Sequence, residues 1–266
     1  MTRALAIGLA LAIAAAGCAG KGEPKKTLLV YCASSMRQPM EALAKAYQAK
    51  TGVRVDLSFG DSGTLLIQAQ ERAEGDGFVV HDPFSAMAEG KCLVVATRAL
   101  AALTPAIAVK SGTPAAESVK GLADLAQKGL KIGVPDPEKA TAGNVLAAML
   151  KKAGLTESVM KNAVLVSRAS GDLVTALGLG KVDAIVAWDA LIRRDASLKL
   201  IPIEDNYQVD AVTSATGKVY AVARVSVTMS VLKSSKDVDA ITKFLDFAAG
   251  PEGRAEFEAF GFSPAQ

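Results

Sequence analysis

The 266-residue chain is 50% hydrophobic and 5% aromatic, and its 30 basic against 27 acidic residues give a net charge of +3. Its lysines and arginines are scattered among acids, so it lacks the clustered basic face that nucleic-acid binding needs and the stacking aromatics that single strands need. One histidine, His81, and three widely spaced cysteines, Cys18, Cys32 and Cys92, make no zinc pattern.

In chain order, Met1-Thr2-Arg3 is a short basic start, Ala4 to Ala16 is apolar, and Ala15-Ala16-Gly17-Cys18 is a small-residue run. Residues 1–18 therefore read as a secretory signal peptide, too short for the ~20 residues of a spanning helix. The closing cysteine resembles the bacterial lipobox, which implies cleavage before Cys18 and lipidation of its thiol. The expected product is a membrane-anchored lipoprotein in the periplasm or at the cell surface. Residues 19–26, with Gly20, Gly22, Pro24 and three lysines, read as a flexible tether. About 240 residues remain, one large domain or two small ones. In an oxidising compartment Cys32 and Cys92 could pair, although Cys32 on an expected buried strand is more simply a small apolar side chain.

Two segments then repeat one device. Leu28 to Cys32 is an apolar strand that runs through Ala33-Ser34-Ser35-Met36 into a helix from Pro39 to Lys50. Val53 to Phe59 runs through Gly60-Asp61-Ser62-Gly63-Thr64 into a helix from Leu66 to Ala73. The first N–H groups of a helix are unpaired and carry the positive end of its dipole, which makes an anion site. If the strands are parallel neighbours, Ser35 and Ser62 bring hydroxyls and amides to one crevice; the alternative is that each serine only caps its helix.

Further along, Gly77 to Val80 is a short buried strand ending at His81-Asp82-Pro83-Phe84, followed by a helix over Ser85 to Glu89. Leu93 to Ala96 and Ala106 to Val109 are apolar runs, Gly121 to Lys128 reads as a helix, and Leu130 to Val134 as a strand. Thr141-Ala142-Gly143-Asn144 opens a helix to Ala153 with Val145, Leu146, Met149 and Leu150 on one face. Ala163 to Val166, a helix over Gly171 to Gly178 and Val182 to Trp188 complete the alternation, which predicts right-handed βαβ units and mainly parallel sheets.

Several of these segments together resemble the periplasmic molybdate-binding proteins of ABC transporters. Tyr31-Cys32-Ala33-Ser34-Ser35-Met36 is similar to that family's opening turn, and Ser58-Phe59-Gly60-Asp61-Ser62-Gly63-Thr64-Leu65 to its Ser-Phe-x-x-Ser-x-x-Leu segment. Asp76 to Asp82 falls on its Asp-x-Phe-Ile-x-Ala-Asp, and Gly133 to Gly143 follows its Gly-x-Pro-x-x-x-Pro-Ala-Gly loop in outline. Gly180 to Ala184, Phe244-Leu245, Gly250-Pro251-Glu252 and Phe260-Gly261-Phe262 resemble its closing features.

The resemblance implies an α/β, two-lobed periplasmic-binding-protein fold with an interlobe cleft. Residues 27–104 and 223–266 would form lobe 1, and residues 105–222 lobe 2. It implies a tetrahedral oxyanion, molybdate or tungstate, held by the hydroxyls and amides of Ser35 and Ser62, the amides of His81, Ala142 and Ser170, and the side chain of Trp188. Ser35 and Ser62 would thus touch a metal only through the oxyanion's oxygens, with no further cofactor. The implied partners are an inner-membrane ABC permease and the membrane through the lipid anchor only, with the protein a monomer. His81 stands where the family has a small residue and Trp188 where it has a tyrosine, so each side chain is either part of the site or, respectively, a loop histidine bonded to backbone and ordinary core. Asp61 and Asp82 are expected as caps or hinge bonds, and Arg37 as a surface arginine or a charge at the rim. Other ligands for the same fold are sulfate, phosphate or a metal species near His81 and the acids. An enzyme is the more distant alternative, since no Gly-x-Ser-x-Gly elbow, paired-histidine motif or Walker loop is present.

Overall fold

The computed structural model describes residues 27–213, 217, 219–221 and 224–265. The signal peptide, Cys18, the tether and the 222/223 lobe boundary lie outside them. Among the described residues no helix is long and apolar enough to cross a membrane.

The chain opens with β1 (Thr27–Ala33), α1 (Arg37–Thr51), β2 (Arg54–Gly60), α2 (Ser62–Arg72), β3 (Gly77–His81), α3 (Phe84–Gly90) and β4 (Val94–Leu103). It then passes through β5 (Pro105–Lys110), α4 (Pro114–Ser118), β6 (Ile132–Pro135), α5 (Thr141–Ala153), α6 (Thr156–Met160), β7 (Ala163–Ser167), α7 (Ser170–Gly178), β8 (Ala184–Trp188), α8 (Asp189–Arg193), β9 (Leu198–Pro202) and the hairpin β10 (Ala211–Thr213) with β11 (Val219–Ala221). It closes with β12 (Val225–Leu232), α9 (Val238–Ala249), α10 (Pro251–Ala259) and β13 (Ser263–Pro264).

Two larger sheets result, ordered β13-β4-β12-β3-β1-β2 and β7-β6-β8-β5-β9. The expected parallel pairing holds where strands feed helices: β1 lies between β2 and β3, and β6 between β7 and β8. The remaining contacts of both sheets are antiparallel, because β12 inserts between β3 and β4 while β5 runs between β8 and β9. The sheets are thus mixed rather than mainly parallel: β12 and β5 enter beside strands far from them in the chain, and these long-range pairings carry no helical crossover to a neighbour, which parallel pairing needs.

Each sheet is buried on the scale of a domain core. In β5, Ile107 and Val109 pack into one cluster with Val134, Val145, Leu146 and Met149, while Ala106 and Ala108 join Leu173, Leu177 and Ile185 on the opposite face. That alternation is the two-residue period of a strand covered on both sides. In the first lobe, α9 presents Ile241, Phe244, Leu245 and Ala248, a helical stripe, to a core with Tyr31, Phe78 and Phe257. The segment read as a helix over Gly121 to Lys128 is a 3-10 turn at Leu122–Ala126, held by the Asp124 carboxylate accepting from the amides of Lys120 and Gly121. At the crossing between the sheets, buried Asp189 accepts from the amide of Thr104, and the Asp189 amide donates back to the Thr104 carbonyl. Cys32 and Cys92 are both free thiols. Cys32 is fully buried, which pushes its thiol far up, and Cys92 is exposed.

Candidate functional site

A parallel strand that feeds a helix aims the first N–H groups of that helix beyond its own C-terminal end. Both parallel triplets do this toward the same place. Between them lies a cleft of about 300 Å³, lined from the first lobe by Ala33 to Ser35, Gly60 to Gly63, His81 and Phe84, and from the second by Lys139 to Ala142, Arg168 to Asp172, Trp188 and Leu191. The six residues expected from sequence, Ser35, Ser62, His81, Ala142, Ser170 and Trp188, all line it.

The register explains the first half. Ala33 pairs with Gly60 across β1 and β2, so the two serine turns leave the sheet side by side, and the Ser34 hydroxyl donates to the Gly60 carbonyl at 3.1 Å. Ser62 is the first residue of α2. Its cap is the residue before it, Asp61, whose carboxylate accepts from the amide of Thr64 at 3.0 Å and its hydroxyl at 2.6 Å. The capping alternative for Ser62 therefore fails, and its hydroxyl oxygen is left buried without a hydrogen-bond partner. Ser35 differs: it is half-buried, in a 3-10 turn, and its hydroxyl donates to the sulfur of Met36 at 2.9 Å.

In the second half, α5 follows Ala140 and α7 follows Ala169, extended residues that cannot cap with a side chain. Their leading amides are left for whatever occupies the cleft. The first turn of α5 sits hard against the preceding loop, since a Cβ on Gly143 would lie 1.9 Å from the Asp136 carbonyl oxygen. Thr141, the first residue of that helix, is 4% exposed, and its hydroxyl has no partner. The reading of this turn for its Ala142 amide overlooked that hydroxyl, although a threonine opening a helix was a visible signal.

His81 and Trp188, both in the cleft lining, meet edge to face with 5.5 Å between ring centroids, and Phe84 meets His81 edge to face at 5.9 Å. Trp188 is 4% exposed and belongs to the first-lobe core cluster while lining the cleft. The His81 ring makes a 3.0 Å bond to the Asp82 carbonyl, which can only accept, so the proton sits on Nδ1. Burial pushes the imidazole below its usual value, only partly offset by that bond. The unfolded chain therefore takes up the second ring proton before the folded one, and folding stability should fall as pH drops below about 6.5, the ordinary histidine value. His81→Gln should flatten that slope in thermal melts between neutral and mildly acidic pH; equal slopes in parent and variant would contradict the buried, neutral ring.

Arg168 and Asp61, both in the cleft lining, form an exposed ion pair between the lobes at 3.3 Å. Against the upward push of burial, the Thr64 bonds and the Arg168 charge hold the Asp61 carboxyl below its usual range. Arg168, in an unremarkable turn, carries no signal in the sequence; of the two readings of Arg37, the surface one holds and the rim charge does not. Arg37 stacks on Phe59 at 3.7 Å and pairs with Glu41 on the surface, away from the cleft lining. Among the described residues no group of three or more His, Cys, Asp or Glu is placed to hold a metal ion.

The profile of the bacterial extracellular solute-binding proteins matches residues 28–263. The molybdate-binding protein ModA of Escherichia coli K12 is 26% identical over 270 residues, covering 96% of this chain and 95% of that protein. Among solved structures, the periplasmic molybdate-binding protein of Azotobacter vinelandii superposes with a TM-score of 0.73 at 18% identity, over 90% of this chain and 100% of that one. The sulfate-binding protein SubI of Mycobacterium tuberculosis H37Rv does so at 0.72 and 14% identity, over 91% and 88% of the two chains. At such identities the structures show a shared two-lobed fold.

Proposed function

The chain belongs to the bacterial extracellular solute-binding protein family, and from that premise we propose that it captures a tetrahedral oxyanion, molybdate or tungstate, for an ABC permease of the inner membrane. The observation that carries this reading is the pair of buried, unpartnered hydroxyls, Ser62 and Thr141, one from each lobe of a single cleft. An unsatisfied buried hydroxyl costs about 1–3 kcal/mol, so two in one cavity fit a site that a ligand completes. The other expected contacts, amides of Ser35, His81, Ala142 and Ser170 and the indole N–H of Trp188, are likewise neutral donors, suited to a dianion whose oxygens only accept. Both acids in the lining are already engaged, Asp61 by Thr64 and Arg168 and Asp172 by the Ser167 hydroxyl. The names of the relatives that bind molybdate support the choice of ion.

The same reading divides the chain into lobe 1, residues 27–104 and 223–266, and lobe 2, residues 105–222, in line with the two sheets. It places a monomeric mature protein on the membrane through lipidated Cys18. A second reading, phosphate, rests on His81: with its proton on Nδ1, the neutral ring leaves Nε2 as an acceptor for the last proton of hydrogen phosphate.

Trp188 is the only tryptophan in the chain, so its emission reports the cleft. Titration with molybdate or tungstate should change that emission saturably and at far lower concentration than sulfate or phosphate. A response to phosphate at the lowest concentration would favour the second reading, and no response to any oxyanion would remove both.

A further inference from the structure

We propose that the Thr141 hydroxyl is a direct ligand of the bound anion, the second-lobe counterpart of Ser62; this rests on the oxyanion reading of the cleft. A threonine at the start of a helix ordinarily satisfies its hydroxyl nearby, by capping or by bonding the carbonyl four residues back. Neither outlet is used. Thr141 lies inside α5 rather than at its cap, and the carbonyl four residues back, that of Pro137, accepts from the side-chain amide of Asn144. The hydroxyl oxygen is buried and unpartnered, in a residue that lines the cleft. Its position is held from behind, because Gly143 lets the first turn of α5 press on the Asp136 carbonyl and the Ala140 amide donates to the same oxygen at 3.0 Å. A donor fixed on the second lobe and another, Ser62, fixed on the first complete their bonding together only when an acceptor with several oxygens lies between them. The anion thereby couples lobe closure to the satisfaction of both hydroxyls.

Calorimetry with molybdate and tungstate on the parent, Thr141→Val and Thr141→Ser separates the hydroxyl from the side chain's bulk. Valine keeps the shape and removes the donor, so affinity should fall by about 10- to 100-fold, the range of a hydrogen bond to a charged partner, while the ligand-free melting temperature holds or rises. Serine restores the donor and should stay within about threefold of the parent. Parent-like affinity in Thr141→Val, or an equal loss in Thr141→Ser, would overturn this assignment and leave the oxyanion reading standing. A parent protein that binds neither ion would overturn both.

Discussion

Gly143→Ala should cost the protein both stability and binding, more than any other single methyl added at the cleft. The new Cβ would lie 1.9 Å from the Asp136 carbonyl oxygen, 2.4 Å from its carbon and 2.8 Å from the Pro135 carbonyl oxygen. All three are backbone atoms that cannot rotate aside, so the first turn of α5 must back away from the loop. Overpacking of this kind costs about 1–3 kcal/mol, and more where the opposing wall is rigid. The displaced turn carries Thr141 and the Ala142 amide, and donors shifted by more than about 0.5 Å leave productive geometry. Oxyanion affinity is expected to fall more than about 100-fold, with a lower denaturation midpoint. Gly171→Ala is the matched control: it sits in the first turn of α7, where nothing lies within 4 Å of the added carbon. That change should be neutral or stabilising by up to about 1 kcal/mol, since glycine inside a helix is unfavourable relative to alanine. Equal behaviour of the two variants in melts and calorimetry would show that the start of α5 is not held against the loop as described.

Ser62→Ala should weaken oxyanion binding by about 1.5–3 kcal/mol and leave the ligand-free protein as stable as the parent or slightly more so. The two halves of that expectation come from one fact: the Ser62 hydroxyl is buried without a partner, so its removal relieves the empty protein and deprives the loaded one. The capping function belongs to Asp61, and Asp61→Ala should instead lose about 1 kcal/mol of stability. Ser35→Ala should lose less affinity than Ser62→Ala, because the Ser35 hydroxyl must give up its contact with the Met36 sulfur before it can serve a ligand. A stability loss without an affinity loss in Ser62→Ala would return that serine to a purely structural role.

How far the sequence could be read depended on whether the signal was local. Thr141 to Ala153 was legible to the residue as a helix, because its apolar spacing and small opening residues are set within the element. The serine turns were legible for the same reason, and their neighbouring position followed once β1 and β2 were taken as a parallel pair. Sheet direction was not legible: β4 continues to Leu103 through Thr97 and Arg98, and its antiparallel pairing with β12 joins residues more than a hundred positions apart. Arg168 was invisible for a related reason, since its partner Asp61 lies on the other lobe and nothing near it in the chain announces the pair. The hydroxyl of Thr141 was within reach, but its significance lies in having no partner, which only the packed structure can show.

Anomalous scattering from crystals grown with molybdate or tungstate shows whether the cleft holds the oxyanion, because the metal's position is read without assuming any contact. One strong peak per chain is expected in the cleft, with the ion's oxygens within hydrogen-bond distance of the Ser62 hydroxyl and of the amides that open α5 and α7. A cleft holding some other species while the metal scatters only from surface sites, or from nowhere, would contradict the oxyanion reading.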